Sequence, residues 1–295
     1  MRQINRRSFI FGSVSALGLS SALNSLSACT TPNSGTTQAL PRDVQLVQRF
    51  PQVLVPGEVR LPISLAGKSG MITTESDFVF PGSLVAKVVD LSIDKVIVEN
   101  LNAELHGAEF AIPYYPFRLE ISSAGNYLLI VEGGSEDGAA FSVLEREQVL
   151  VPLIGDTLPA FDTPTFDDAR SVEPICTRAP KPCPFHQMTL TMALQKKLPV
   201  AYLIGTPAHC STGTCAPALE ELMSTAESLG ENVAIVHAEV YADEQATIVA
   251  PAVKAFEMTY EPALFITDQN GKIVDRLDAV FYKKEIIESL NQLKL

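Results

Sequence analysis

The chain contains no tryptophan, only four histidines, and few basic residues: 22 Lys+Arg stand against 34 Asp+Glu, a formal net charge of −12. So acidic a surface argues against nucleic acid and anionic lipid headgroups as partners, since both are recognised by basic patches. Beyond the first 28 residues there is no apolar run long enough for a bilayer-spanning helix, which excludes a bundle of such helices as the fold class. Charged residues make up 19% and hydrophobic residues 46% of the chain, a balance that excludes wholesale disorder. Cysteine is scarce but not absent, and its five positions carry most of the functional information.

The first line, "MRQINRRSFIFGSVSALGLSSALNSLSAC", bears Arg2, Arg6 and Arg7 and no acid. The paired arginines, followed by Ser8-Phe9-Ile10 and an apolar stretch diluted with Ser and Gly, resemble a twin-arginine export signal. The stretch ends in Leu26-Ser27-Ala28-Cys29, which resembles a bacterial lipobox. These resemblances imply a signal peptide over residues 1–28 and acylation of Cys29. They also imply a flexible polar tether over 29–40 and a location outside the cytoplasm, on the lipid bilayer of a bacterial cell envelope.

With Cys29 assigned to the lipid, four cysteines remain: Cys176, Cys183, Cys210 and Cys215. An even number in an oxidising location predicts disulfides. Three pairings are open, and close spacing favours Cys176 with Cys183 and Cys210 with Cys215.

Residues 41–150 alternate apolar and polar positions in short runs such as "EVRLPISLAG", "LVAKVVDL" and "NYLLIVEGG", separated by Pro, Gly, Asn and Asp. This period-two pattern predicts about seven antiparallel strands in an all-β, immunoglobulin-like sandwich. Residues 151–184 are dense in Pro, Asp and Thr and predict a linker or extended wrap that carries Cys176 and Cys183, stiffened by prolines. From 185 to 295 the pattern changes. "MTLTMALQKKL" reads as a short strand passing into a helix, "PVAYLIG", "NVAIVHAEVY", "PALFITD" and "KIVDRLDA" as strands, "APALEELMSTAESLG" and "KKEIIESLNQL" as helices, and "ATIVAPAVKAFEM" as a helix interrupted by Pro251. Asn270-Gly271 marks a hairpin between the last two strands.

This order of elements, with Cys210 after the strand "PVAYLIG" and before "APALEEL", resembles the thioredoxin family over residues 185–295. Glu261-Pro262 stands just ahead of "ALFITD", where that family carries a cis-proline. The resemblance implies an α/β domain with a mixed sheet flanked by helices, and thiol–disulfide exchange at Cys210 and Cys215. Pro262 would then lie against the Cys210 sulfur and shape the docking groove, exported protein thiols and disulfides would be the partners, and no resident metal or organic cofactor is called for. Peroxiredoxins place Thr or Ser three residues before the reactive cysteine; here that position is Pro207.

Spacing restricts how the two cysteines can meet. In one continuous helix a five-residue offset would hold their Cα atoms about 9 Å apart, against the roughly 4.4–6.8 Å a disulfide needs. Cys210 is therefore predicted in the loop before the helix, with Cys215 in the first turn, where the helix dipole and unpaired amides stabilise a thiolate. Protonated His209 would assist such a thiolate and Glu261 would oppose it.

Two rivals come from other classes. The chain also resembles thioredoxin-like copper-delivery proteins, which implies Cu(I) on Cys210 and Cys215 with His209 as the nitrogen donor, His186 or His237 being the alternatives; His237, inside an apolar strand, reads first as a hydrogen-bonded core residue. The other is a non-catalytic cell-surface binding module, in which both cysteine pairs are staples.

Overall fold

A computed structural model of the chain describes residues 40–293; the signal, the lipidation site Cys29 and the tether expected at the N-terminus lie outside the described residues, except Leu40, which is buried in the first core and not part of a tether. The first half is built from eight strands: β1 (Gln45–Gln48), β2 (Gly57–Gly67), β3 (Gly70–Met71), β4 (Ser83–Asp90), β5 (Lys95–Glu104), β6 (Tyr115–Ile121), β7 (Gly125–Val131) and β8 (Ala139–Val143). One sheet runs β1-β2-β3 with β6 also paired to β2, and a second runs β5-β4-β7-β8; every pairing is antiparallel. Alternate side chains of β2 (Val59, Leu61, Ile63, Leu65), of β6 (Phe117, Leu119, Ile121) and of β7 (Tyr127, Leu129, Val131) enter one shared core. The period-two hydrophobic pattern is the cause, since successive side chains of a strand point to opposite faces.

The second half contains β9 (Val200–Ile204), β10 (Ala234–Ala238), β11 (Ala263–Thr267) and β12 (Ile273–Asp278), with α1 (Leu190–Gln195), α2 (Cys215–Leu229), α3 (Pro251–Ala255) and α4 (Lys283–Asn291). The sheet order is β10-β9-β11-β12, with β10 parallel to β9 and the other pairs antiparallel. Strands β9 and β11 are buried at every residue. Ala201, Leu203, Leu264 and Ile266 pack on one side with α2 and α4 residues, while Val200, Tyr202, Ile204 and Phe265 pack on the other.

That other side corrects the expected helix-flanked thioredoxin-like α/β domain. It is covered by extended residues, Val149, Val151, Leu153 and Leu158, together with α1 and α3, which have only six and five residues. Strands account for 33% of the structure and helices for 16%, with three four-stranded sheets and four α-helices among the described residues. Two local causes shortened the helices. Pro251 occupies the start of α3 and cannot continue a helix from the N-terminal side, so residues 239–250 run as turns and bridges. In "MTLTMALQKKL" the Thr189 hydroxyl accepts the Met192 amide, which starts α1 at Leu190, and Lys197 at φ +57° ends the run.

A buried ion pair ties β2 to α4. The Arg60 guanidinium forks onto Glu285 (Nε to Oε1 2.6 Å, Nη2 to Oε2 2.7 Å) and donates to the carbonyls of Asp278 and Val280. Tyr114 donates its hydroxyl to the same carboxylate at 2.6 Å. Burial acts to raise the Glu285 pKa, but the Arg60 charge and the hydrogen bonds converging on the carboxylate outweigh it and hold the group well below the usual carboxylate range. A depressed folded-state pKa contributes stability above the unfolded value that is lost as pH falls. Arg60→Ala is expected to cost about 3–5 kcal/mol at neutral pH by urea unfolding, because it strands a buried carboxylate. The deficit should shrink in acid, where the orphaned carboxyl can protonate; a pH-independent deficit below about 1 kcal/mol would show that the pair contributes little.

Candidate functional site

Strand β9 ends at Ile204, and the chain then turns outward through Gly205 to the loop that carries Cys210. Gly213, at φ +68°, supplies the left-handed residue that lets Cys210–Gly213 close as a turn, with the Gly213 amide donating to the Cys210 carbonyl at 3.1 Å. Helix α2 then opens at Cys215. Its N-cap, Thr214, makes no side-chain capping bond among the described residues, so the first amides remain available. One of them is used by sulfur: the Cys215 N–H donates to Cys210 Sγ at 3.3 Å. Thr212 Oγ1 lies 3.2 Å from the same sulfur.

These contacts separate the two thiols. Cys210, half-buried, is brought down to about 4 by hydrogen bonding from Cys215, reinforced by Thr212 and the amides of residues 214 and 215, against the opposing effect of burial. Cys215, 1% exposed, is pushed well up by its bond to Cys210 and by burial. A thiolate is therefore held at the accessible position and a protonated thiol beneath it.

A carboxyl completes the group. Cys210 Sγ, Cys215 Sγ and a carboxylate oxygen of Glu261 lie within 4.8 Å of one another. Burial first, and then the Cys210 charge, push Glu261 up to about 7, and its Oε2 is buried with no hydrogen-bond partner among the described residues. Composition and spacing had marked Glu261 only as a charge opposing a thiolate; its burial beside both sulfurs is a tertiary fact. Gly205 was missed altogether. A Cβ there would stand 3.3 Å from Pro262 Cβ and 3.6 Å from Cys215 Sγ, so the bare backbone lets Pro262 and Cys215 close on it from two sides. The Glu261–Pro262 bond is cis, and Pro262 borders Gly205, as Cys215 does.

His209 does not join the sulfurs: its ring meets Tyr241 edge-on at 6.2 Å. His186 and His237 instead gather with Cys176 and Cys183 in a second, fully buried cluster. There His237 Nδ1 lies 3.8 Å from Cys176 Sγ, 3.4 Å from Cys183 Sγ and 3.2 Å from His186 Nε2. All four described cysteines are free thiols, so neither expected disulfide is formed in this structure, and the Cys183 amide donates to Cys176 Sγ at 3.4 Å. The spacing Cys183-x-x-His186 is the one sequence signal that could have marked this second cluster.

No protein-family model matches the chain, and no curated protein matches it significantly. At a pH of about 5–6, iodoacetamide is expected to label Cys210 and to spare Cys215 and the buried pair, read by peptide mass mapping of the reduced chain. First labelling at Cys215 would reverse the assignment.

Proposed function

We propose that this chain exchanges thiols and disulfides with other exported proteins through Cys210 and Cys215, while held to the bilayer by an acylated Cys29. The supporting observation is the amide of Cys215 donating to the sulfur of Cys210 at the mouth of α2, with a second thiol and a carboxyl buried behind it. A lowered, accessible thiolate is the attacking group in such chemistry, and a protonated neighbour is the reserve.

The steps balance as follows. The Cys210 thiolate attacks one sulfur of a partner disulfide; a Cys210–partner bond forms, the partner's own S–S bond breaks, and its second sulfur leaves as a thiolate. Cys215 passes its proton to Glu261 and attacks Cys210, closing a Cys210–Cys215 bond and releasing the partner's first sulfur, which takes up the proton. Two electrons pass from the chain's dithiol to the partner, and the reverse sequence oxidises a partner dithiol. Glu261 suits this relay because a carboxyl near pH 7 gives and takes protons without a large penalty in either direction. A cleft lined by Phe110, Ile112, Thr212, Thr214, Pro217 and Phe281 runs beside the loop and offers an apolar seat for the partner's polypeptide. Copper delivery through Cys210, Cys215 and His209 is less well supported, because the third group at the sulfurs is a carboxyl and His209 is turned to Tyr241.

Cys210→Ala is expected to abolish exchange with a disulfide-bearing reporter protein, and Cys215→Ala to accumulate a mixed disulfide visible on non-reducing gels. Trapping by Cys210→Ala would invert the roles. The resolution step should accelerate as pH rises through the ionisation of Glu261, which burial shifts upward, and Glu261→Gln should remove that limb and slow resolution about 100-fold on its alkaline side. An unchanged pH profile in Glu261→Gln would remove the carboxyl from the relay.

A further inference from the structure

The second cluster has no part in the exchange chemistry, and its hydrogen-bond bookkeeping does not close on its own. His237 Nε2 lies 2.9 Å from the Gly205 carbonyl, which can only accept, so Nε2 carries a proton and the neutral ring presents a lone pair at Nδ1. That single lone pair faces three groups at once: Cys176 Sγ, Cys183 Sγ and His186 Nε2. His186 faces this point with Nε2, and its other ring nitrogen, Nδ1, is buried without a partner among the described residues. Cys183, His186 and His237 are each 0% exposed, so no bulk water reaches the convergence.

We propose that Cys176, Cys183, His186 and His237 bind one zinc(II) ion in a closed tetrahedral site. Zinc–sulfur bonds of about 2.3 Å and zinc–nitrogen bonds of about 2.0–2.1 Å imply tetrahedron edges of about 3.3 Å between nitrogens and about 3.5 Å between nitrogen and sulfur. From His237 Nδ1 the nitrogen is 3.2 Å away and the two sulfurs 3.4 and 3.8 Å, and all four donor atoms lie within 4.8 Å of one another, so they already stand close to ligand positions. Two thiolates neutralise a divalent cation, which makes its charge tolerable in a dry interior. The His237-to-Gly205 bond is the outer partner that fixes the imidazole tautomer for metal binding. With all four positions supplied by protein and none open to solvent, the ion is structural. Zinc is favoured over Cu(I) by the equal share of nitrogen and sulfur in four-coordinate geometry.

Its mechanical effect is to fasten the extended segment before α1 to β10, since Cys176, Cys183 and His186 lie on the former and His237 on the latter. The same segment holds the redox loop: Thr177 Oγ1, next to Cys176, accepts the Ala208 amide at 3.1 Å.

The test is cobalt(II) and zinc(II) uptake by the purified full chain under reducing conditions. One equivalent of cobalt is expected to bind, with the intense visible bands of a tetrahedral ion and thiolate-to-metal charge transfer in the near ultraviolet. Zinc should displace it. Cys183→Ala and His186→Ala should each weaken binding more than about 100-fold, beyond what loss of an outer-sphere partner produces, while a Cys210→Ser/Cys215→Ser double variant keeps full uptake. If the ligand variants do not fold, the wild-type chain still decides: in mildly denaturing buffer, where the pair is alkylated without metal, zinc should protect Cys176 and Cys183 but not Cys210. No tetrahedral thiolate spectrum, or uptake that disappears only in the Cys210/Cys215 double variant, would overturn the proposal. So would a Cys176–Cys183 disulfide that re-forms in air while zinc is present in excess.

Discussion

The end of strand β9 is the constraint on which both sulfur sites depend. At Gly205 the backbone turns out of the sheet, and its carbonyl fixes the ring of His237 while its bare α-carbon lets Cys215 and Pro262 approach. A side chain at this point would press on Pro262 at 3.3 Å, and a displaced carbonyl would release the imidazole tautomer. Backbone and side-chain functions of one residue thus couple a buried donor cluster to a half-exposed thiolate. The coupling is short-range: the Cys210 loop follows immediately, and Thr177 braces it from the other cluster.

What holds β9 itself in place is burial on both faces. Its five residues are all buried, between α2 and α4 on one side and the extended 149–158 segment with the short helices on the other. A strand so enclosed reads as a continuous apolar run and can deliver a loop with little freedom at its end. The Arg60–Glu285 fork adds a polar clamp between the antiparallel first half and α4, with all of the carboxylate's oxygens occupied. Fully satisfied buried ion pairs contribute modestly to net stability but penalise alternatives strongly, since any other packing leaves a charge stranded. The cleft beside Cys210 depends on that clamp, because Phe110 and Ile112 belong to the first half and Pro217 and Phe281 to the second.

The two cysteine groups differ in chemistry because their surroundings differ. Cys210 sits where a helix begins and water can reach it, so its thiolate is both stabilised and available. Cys176 and Cys183 sit in a closed interior among imidazoles, where a thiolate is useful as a ligand and inaccessible as a nucleophile. Close sequence spacing, common to both pairs, does not tell these apart: neither pair forms a disulfide here, and burial decides what each sulfur can meet.

The helix start at Cys215, the loop position of Cys210, the alternating strands of the first half and the strand runs of the second were legible in the sequence, because each is governed by neighbours within a turn or a pleat. The helix-flanked α/β architecture was not, since helix length depended on Pro251, Lys197 and the extended segment that occupies the space a second helical layer would fill. Nor was the gathering of His237 with Cys176, Cys183 and His186, which are 61, 54 and 51 residues away along the chain. No local pattern encodes such a distance. By itself the sequence determined which residues carry reactive sulfur and imidazole; only the packing of β10 beside β9, and of the proline-rich segment over β10, decided which of them share a site.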